Sequence, residues 1–500
     1  MLAKVAAPAS AGFGGTLVEV ECDITNGLPS FVVVGLGNKA VDEARDRVRG
    51  ALRNSNLLVP PKRITLNLAP ADLPKDGTAY DVSIAIAILV ASEQIEPVVD
   101  CLFIGELALD GSLRPVPGVL SYAQLAAANG IPVLFVPAAN ATEAALISGV
   151  KVYGANTLLE IYGHLMGLQP LVAVDTPKLY GQVPDASQVP NFAMVHGQPE
   201  AKRALEVAAA GGHNVLLSGP PGAGKTMLSR ALIGILPPPT VSEMIEITKL
   251  HGVAGRTLGA IMTRRPFRNP HHTASDIALI GGGRVPKPGE ISLSHHGVLF
   301  LDELPEFRRE VLEVLRQPLE DGVITIARAH GVVTYPAAFM LIAAQNPCPC
   351  GYAGDSQRSC TCSLSQITRY TRKVSGPLLD RIDIVVQVGR VDPKLLQRTK
   401  AEEPSATVAQ RVVVARQRQE RRGLPDSPLN ARLNNQQLRQ VAKLTPGAAS
   451  MARTAMQTLS LSVRAYLRTI KVARSIADLE GSDRILPTHI TEALRYRPAT

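Results

Sequence analysis

Short apolar runs and amphipathic stretches alternate along the first third of the chain, which is the pattern of a mixed α/β unit. Residues 17–21 and 31–34 are rich in β-branched residues and predict strands. Residues 41–52 predict an Arg-rich amphipathic helix, whereas residues 82–92 predict a helix that is apolar on almost every side and therefore buried. The apolar run at residues 133–137 predicts a further short, buried strand.

The pattern changes along the chain and predicts three domains joined by one linker. Residues 1–165 form the first α/β domain. Residues 166–190 contain four prolines and lose hydrophobic periodicity, so they are predicted to be the linker. Residues 191–389 return to the α/β pattern, and residues 390–500 turn helical. Arg-rich amphipathic helices are predicted in the last domain at residues 408–422 and 461–479.

The strongest chemical motif is a glycine-rich loop between a predicted strand, Val215–Ser218, and a predicted helix. Its glycines let several backbone N–H groups point at one phosphate, and the helix N-terminus favours the anion. Lys225 is predicted to neutralise the β- and γ-phosphates of ATP, and Thr226 to ligate Mg²⁺. An incidental glycine-rich turn is the alternative. The loop residues predicted to bind the nucleotide are Gly219, Pro220, Pro221, Gly222, Ala223, Gly224, Lys225 and Thr226.

Two later strands are predicted to complete this site. The apolar run at residues 298–301 ends in Asp302, which fits a position beside Mg²⁺, and Glu303, which fits a base that polarises the attacking water. The run at residues 339–344 is followed by Asn346, whose side chain could orient that water. A plain turn asparagine before proline is the alternative for Asn346, and its position alone does not decide between them.

Residues 320–335 alternate apolar with small or polar residues. The alternation is interrupted once near residue 330 and then continues, which predicts two strands of a β-hairpin. Arg328 and His330 make its tip basic. A basic tip that lines a pore can follow a phosphate backbone without reading bases. A solvated turn is the alternative.

Composition limits the partners and the compartment. The chain has 500 residues, a formal net charge of +9 and a pI near 9.3. This excess of Lys and Arg permits a polyanionic partner such as nucleic acid without requiring one. The longest apolar stretch, residues 82–91, is far shorter than the roughly 20 residues that a membrane helix needs. We therefore expect a soluble cytoplasmic protein with no membrane contact.

Four of the six cysteines cluster in a loop that is rich in glycine and polar residues. Four thiolates in a short loop without a core fit a structural Zn²⁺ site, although the C-x-C spacing is tighter than the usual C-x₂-C. Free or redox-active thiols are the alternative, since a reducing compartment disfavours disulfides. The predicted ligands are Cys348, Cys350, Cys360 and Cys362.

Three longer motifs are recognisable: RPFRNPHHT at residues 265–273, IGGG at residues 280–283 and PGEISLSHHG at residues 288–297. Together with the acidic strand they resemble the Mg-chelatase-like AAA+ ATPase family over nearly the whole chain. The resemblance implies a P-loop AAA+ core with a pre-sensor-1 hairpin, a C-terminal helical lid, ATP and Mg²⁺ as ligands, and a homohexameric ring.

The resemblance also implies roles for individual residues. Asn346 matches the sensor-1 position, and Arg464 matches the sensor-2 position on the helical lid. Arg381 matches an arginine finger that reaches the γ-phosphate bound by the neighbouring subunit. The alternative for Arg381 is a salt bridge with Asp380 or Asp383.

The first domain resembles the Lon-protease fold. Ala79 and Leu120 stand where such proteases carry their catalytic serine and lysine, so an inactive domain is expected. The arginines of its predicted helix could bind DNA or form a solvated face paired with neighbouring acids, and the solvated face is favoured slightly. These arginines are Arg45, Arg47, Arg49 and Arg53.

The family resemblance implies an ATP-dependent DNA motor, either a helicase or a branch-migration translocase. Its substrate would be branched or single-stranded DNA, and its setting recombination during natural transformation or DNA repair. The alternative is an ATPase subunit that remodels a protein or a metal-chelatase complex.

Overall fold

The first unit is built on a seven-stranded mixed sheet with the strand order β3-β4-β2-β1-β5-β8-β9. The computed structural model describes residues 2–11, 13–34, 39–70, 78–177, 190–257, 259–283, 286–328, 331–355, 357–391, 402–425 and 428–497. The strands of this unit, including a small hairpin of β6 and β7, are β1 (Leu2–Ala11), β2 (Gly14–Thr25), β3 (Ser30–Val34), β4 (Arg63–Ala69), β5 (Cys101–Phe103), β6 (Glu106–Leu107), β7 (Leu113–Arg114), β8 (Val133–Pro137) and β9 (Lys151–Ala155).

Helices cover both faces of this sheet. The predicted apolar helix is confirmed: every residue of α2 is buried, because it packs against β1 and β2. Strand β1 was not predicted, because alanines form most of its buried face and Val5 is its one buried β-branched residue. The helices are α1 (Lys39–Asn54), α2 (Asp81–Ala91), α3 (Val119–Ala128), α4 (Ala138–Ala144) and α5 (Leu158–Leu165).

The Arg-rich helix α1 presents only part of its charge to solvent. Arg45 pairs with Asp46, as predicted for a solvated face. Arg47 instead reaches across to α2, where its Nε lies 2.7 Å from Oδ2 of Asp81. Burial raises the pKa of Asp81 to about 6, although the Arg47 guanidinium opposes that rise. The arginines of α1 that are exposed are Arg45, Arg49 and Arg53.

The second unit contains a five-stranded parallel sheet with the order β11-β14-β17-β10-β18. Because all of its strands are parallel, their carboxyl ends meet at one edge, where ligands of such sheets bind. A separate pair, β12 (Gly281–Gly282) with β13 (Lys287–Pro288), lies between β11 and β14 in sequence. The sheet strands are β10 (Val215–Ser218), β11 (Phe267–Arg268), β14 (Val298–Leu301), β17 (Met340–Gln345) and β18 (Ile384–Gln387).

The helices of the second unit flank this sheet and lead into its loops. They are α6 (Pro199–Gly211), α7 (Lys225–Ala231), α8 (Val241–Val253), α9 (Asp276–Ile280), α10 (Glu290–Leu293), α11 (Arg309–Val314), α12 (Arg316–Asp321), α13 (Leu364–Thr371) and α14 (Gly376–Leu379).

The predicted hairpin is confirmed in its backbone. Strand β15 (Val323–Arg328) pairs antiparallel with β16 (Gly331–Pro336), and Arg328 stands opposite Gly331 at the tip. His330 and the side chain of Arg328 lie outside the described residues. The hairpin projects from between β14 and β17 in the chain, and it begins two residues after α12 ends.

The last part of the chain is helical, as predicted. The helices predicted at residues 408–422 and 461–479 are present within three residues of those bounds. Helix α18 packs on both α6 and α15, so the helical part shares one hydrophobic core with the second unit. Within the described ranges, every helix is too short or too polar to cross a lipid bilayer. The helices are α15 (Ser405–Glu420), α16 (Asn435–Val441), α17 (Pro446–Thr458), α18 (Val463–Leu479) and α19 (Pro487–Arg495).

The first and second units are in direct contact through α3 and α8. Lys249 Nζ donates to Oε1 of Gln124 over 2.7 Å and lies 4.0 Å from the ring centre of Phe13. The Gly259 N–H donates to Oε2 of Glu143 over 3.2 Å, and burial raises the pKa of that carboxyl to about 7. Part of the predicted linker is tied to the first unit as well, since Ala173 forms a bridge with β9.

Candidate nucleotide site and cysteine cluster

The glycine-rich loop connects β10 to α7 at the carboxyl edge of the parallel sheet. Gly222 and Gly224 have φ values of 76° and 87°, a left-handed conformation that residues with a Cβ rarely adopt. At Gly219 a Cβ would lie 2.1 Å from the carbonyl oxygen of Val388, so the backbone of the loop approaches the end of β18 closely. These glycines therefore fix the loop in the curled form that a phosphate requires.

Lys225 begins α7 and is folded back over the loop. Its Nζ donates to the carbonyl oxygens of Gly219 and Pro220, over 2.6 and 3.0 Å, and to Oδ1 of Asn346 over 3.0 Å. Burial lowers the pKa of Lys225, while nearby carboxylates oppose that change. The structure thus brings together the predicted phosphate cation and the predicted strand-tip amide.

Asp302 and Glu303 follow β14 at the same sheet edge. The Thr226 hydroxyl donates to Oδ2 of Asp302 over 2.8 Å, and the Glu303 N–H donates to Oδ1 of Asp302 over 2.9 Å. A hydroxyl and a carboxylate at this distance are the ligands that Mg²⁺ takes beside substrate phosphates. These residues therefore fit an Mg²⁺ ion, which Thr226 and Asp302 would hold.

Glu303 follows Asp302 directly but has an unusual backbone conformation. Its φ of 52° lies in the left-handed region, and its side chain is 53% exposed. Nδ1 of His272 lies 3.5 Å from its carboxylate. His272 lies in the RPFRNPHHT motif, and the sequence alone assigns it no role. The signal was two adjacent histidines in a long polar motif, without any indication of which carboxylate they face.

Arg381 lies at a second place, away from the glycine-rich loop. Its Nη2 is 2.7 Å from Oε2 of Glu320, and its Nη1 donates to the Pro377 carbonyl oxygen over 2.7 Å. Arg464, from the helical part, contacts the other oxygen of Glu320. Among the described residues, neither arginine contacts the glycine-rich loop of its own chain. Glu320 therefore gathers the two predicted arginines, and sequence reasoning did not single it out.

The predicted alternative for Arg381, a salt bridge with Asp380 or Asp383, is wrong. Asp380 pairs with Arg468 over 3.3 Å, and Asp383 lies 3.2 Å from Nδ1 of His213. The reason is that both aspartates face the helical part or the sheet, whereas the guanidinium of Arg381 turns towards the end of α12.

The four predicted cysteines converge. The Sγ atoms of Cys348, Cys350 and Cys360 lie 3.3–3.7 Å apart, and those of all four cysteines lie within 4.8 Å of one another. Tetrahedral Zn²⁺ with Zn–S bonds of about 2.3 Å requires Sγ atoms roughly 3.8 Å apart, so the cluster fits that ion. Hydrogen bonds from the backbone N–H groups of Tyr352 and Thr361 lower the pKa of the Cys350 thiol to about 5.

The cysteine loop touches the glycine-rich loop. A Cβ added at Gly351 would lie 2.7 Å from Cδ of Pro221, and Gly351 has a φ of 88°. The cluster therefore supports a loop that packs directly on the predicted phosphate-binding residues.

Removing the ammonium of Lys225 tests the phosphate site. We expect Lys225→Ala to lower the affinity for ATP by about 10- to 100-fold or more, since a charge-assisted contact contributes about 1.5–3 kcal/mol. Titration with a fluorescent ATP analogue would measure this. Lys62→Ala, which removes an exposed lysine of the first unit, serves as the control. An unchanged affinity in Lys225→Ala would contradict the assignment.

Metal analysis tests the cysteine cluster. We expect purified protein to carry one Zn²⁺ per chain. We expect Cys360→Ser to lower the affinity for Zn²⁺ by about tenfold or more, since mutating even a residue that only hydrogen-bonds to a metal ligand lowers metal affinity by that much. Elemental mass spectrometry after dialysis against a weak chelator measures both. Cys101→Ser, outside the cluster, should keep its metal. A metal-free wild-type protein would favour free thiols.

Family models and known proteins match this chain over nearly its whole length. The magnesium chelatase subunit ChlI model matches residues 191–396, a second ChlI model matches residues 20–140, and the ChlI C-terminal model matches residues 402–497. Competence protein ComM of Haemophilus influenzae is 46% identical over 99% of this chain and 97% of the relative. The YifB protein of Escherichia coli is 45% identical over 98% of this chain and 96% of the relative.

A more distant likeness covers less of the chain. The magnesium-chelatase 67 kDa subunit of Chlorobaculum parvum is 28% identical over 31% of this chain and 23% of the relative. Near-complete coverage at more than 40% identity, together with the three ChlI matches, settles the relationship. The chain belongs to the Mg-chelatase-like AAA+ ATPase family, in the group that contains ComM and YifB.

Proposed function

We propose that the chain is the subunit of an ATP-driven, ring-forming DNA motor, a helicase or branch-migration translocase that acts in recombination. A full-length relative is named for competence, and we carry that setting to this chain, with natural transformation or DNA repair as the process. The observation that supports the proposal is the hairpin of β15 and β16, in which Arg328 pairs with Gly331 beside the turn.

ATP hydrolysis follows from the residues at the sheet edge. Lys225 leaves the loop carbonyls and neutralises the β- and γ-phosphates, while Asn346, its present partner, orients the attacking water. Glu303 accepts a proton from that water as the water oxygen bonds to the γ-phosphorus, while the bond from that phosphorus to the β–γ bridging oxygen breaks and ADP leaves. Thr226 and Asp302 hold Mg²⁺, which neutralises charge on the phosphate oxygens when bound.

Arg381 and Arg464 complete the site of the neighbouring subunit. Both line a cavity of about 370 Å³, and both contact the carboxylate of Glu320 within their own chain. Since neither contacts the glycine-rich loop of its own chain among the described residues, we take a neighbour's γ-phosphate as the partner that exchanges for Glu320. This arrangement requires a ring, which we take to be a homohexamer.

The hairpin is the element that would touch DNA. Its backbone register puts Arg328 beside the turn, opposite Gly331. Arg328 and His330 provide positive charge that follows a phosphate backbone. Since α12 carries Glu320 and ends two residues before β15, movement of the two arginines can be passed to the hairpin.

The remaining domains have supporting roles in this proposal. Residues 1–165 are an inactive Lon-protease-like domain, since Ala79 and Leu120, both buried, stand in place of the protease dyad. Residues 166–190 link it to the AAA+ core at residues 191–389. Residues 390–500 are the helical lid that carries Arg464.

DNA-dependent ATP turnover tests the proposal. We expect branched or single-stranded DNA to raise the turnover of wild-type protein several-fold at low salt. The stimulation, measured against each variant's own rate without DNA, should be lost in Arg328→Ala. It should persist in Arg453→Ala, which removes an exposed arginine of α17. Turnover that no DNA structure changes would contradict the motor.

The second candidate function is an ATPase subunit that remodels a protein or metal-chelatase complex. It is favoured by the partial likeness to a magnesium-chelatase subunit and by the ChlI matches. ATP turnover that ignores DNA but depends on an added protein partner would support it.

A further inference from the structure

A basic groove lies beside the candidate nucleotide site and has no role in the mechanism above. It has a volume of about 680 Å³ and opens to solvent between the segment that follows Glu303 and helix α13. Its lining consists of four cations, two hydroxyl side chains, one carboxylate and two apolar residues that are themselves buried. The residues that line this groove are Pro305, Glu306, Phe307, Arg309, Ser365, Thr368, Arg369, Arg372 and Lys373.

The groove carries more positive charge than its single carboxylate offsets. Lys373 Nζ lies 3.2 Å from Oε2 of Glu306, so these two charges offset one another. The side chains of Arg309, Arg369 and Arg372 are exposed and make no hydrogen bond or ion pair within the part of the chain that the structure describes. Three guanidinium groups therefore remain for an anionic partner.

Helix α13 directs this charge along one face. Ser365, Thr368, Arg369 and Arg372 follow the helical spacing of three, four and seven residues, so they lie in one row. Arginine and hydroxyl side chains in a row are typical of contacts to a phosphate backbone, which carry no base specificity. A protein partner would instead require an apolar or aromatic centre, which the exposed part of the groove lacks.

The helix is held firmly at both ends. Its first turn is closed by a capping box between Ser363 and Gln366, directly after the last cysteine of the cluster. Its last turn is anchored by Tyr370, which is buried. Because these supports fix the arginine row before any partner arrives, less conformational entropy is lost on binding.

We infer that this groove binds the phosphate backbone of single-stranded DNA, as a second contact besides the hairpin tip. The inference rests on the proposed motor for its purpose, and it adds a place where the strand lies close to the catalytic edge. Pro305 and Phe307 follow Glu303 directly, so a bound strand abuts the loop that carries the catalytic carboxylate.

The salt dependence of DNA binding tests this inference. Each phosphate contact adds about 0.7 to the slope of log affinity against log salt for single strands. We therefore expect the double variant Arg369→Ala/Arg372→Ala to lower that slope by about 1.4. The probe is a fluorescent oligothymidylate, followed by anisotropy with full-length protein and a non-hydrolysable ATP analogue. The control Arg439→Ala/Arg453→Ala removes two exposed arginines elsewhere and should keep the wild-type slope.

Each outcome separates the groove from the motor. A lower slope in the double variant supports the groove, even if DNA fails to change ATP turnover and so contradicts the motor. An unchanged slope overturns the groove, while DNA-stimulated turnover would leave the motor standing. If DNA binding is unchanged but the double variant no longer assembles with ATP in sedimentation, the groove is a subunit contact and the inference is overturned. Wild-type protein that binds no DNA overturns both.

Discussion

Arg381→Ala is expected to lower kcat for ATP by about 10³-fold or more, with little change in ATP affinity. An arginine finger stabilises charge on the transferring phosphoryl group and contributes 10³–10⁵ in rate where it has been removed. The structure supports this separation of effects, because Arg381 contacts Glu320 and the Pro377 carbonyl rather than its own phosphate loop. Steady-state turnover and titration with a fluorescent ATP analogue would measure the two quantities.

Mixing two inactive variants makes this test sharper. Arg381→Ala retains a complete glycine-rich loop, and Lys225→Ala retains its arginine. In a mixed ring, the second subunit supplies Arg381 to the intact site of the first, so part of the activity should return. Mixing Arg381→Ala with a variant that lacks both residues should restore nothing. Full activity of Arg381→Ala alone, or no recovery in the mixture, would show that the sites are not shared.

Glu303→Gln is expected to bind ATP and lose turnover by about 10²–10⁴-fold, the usual contribution of a positioned base. The amide keeps the size of the carboxylate but does not accept the proton of the attacking water. Since Asp302 and Thr226 are unchanged, we expect an assembled ring that holds unhydrolysed ATP.

Nucleotide retention after gel filtration would measure that trapped state. Glu310→Gln, which neutralises an exposed carboxylate of α11, should turn over ATP at nearly the wild-type rate. Normal turnover in Glu303→Gln would remove this residue from the mechanism, and the base would have to be sought elsewhere at the sheet edge.

Local spacing carried most of what could be predicted about the nucleotide site. The strand, loop and helix around Lys225 are contiguous, and Asp302 and Glu303 end a strand whose apolar run is unmistakable. Parallel strands then bring these ends together, so the proximity of Thr226 to Asp302 could be predicted from the sequence. The cysteines likewise converge because one short loop holds all four.

Contacts between distant segments could not be predicted in the same way. Helical periodicity gives the face of α1 on which Arg47 lies, but not that α2 presents Asp81 opposite it. The salt bridge offered as the alternative for Arg381 was wrong for the same reason, since the nearest acids in sequence point elsewhere and Glu320 arrives from another helix. His272 was visible only as part of a motif, because its neighbour Glu303 lies on a different strand end.

The carboxylate of Glu320 contacts two guanidinium groups at once, so the proposed mechanism would separate them from it in two steps. Two cations around one anion repel each other, so the first to leave costs less free energy than the second. Arg464 is 53% exposed and Arg381 only 13%, so on the proposed mechanism Arg464 would detach first. A subunit of the proposed ring would then pass through a state in which Arg464 has left Glu320 while Arg381 still contacts it, and the two arginines would move in order instead of together.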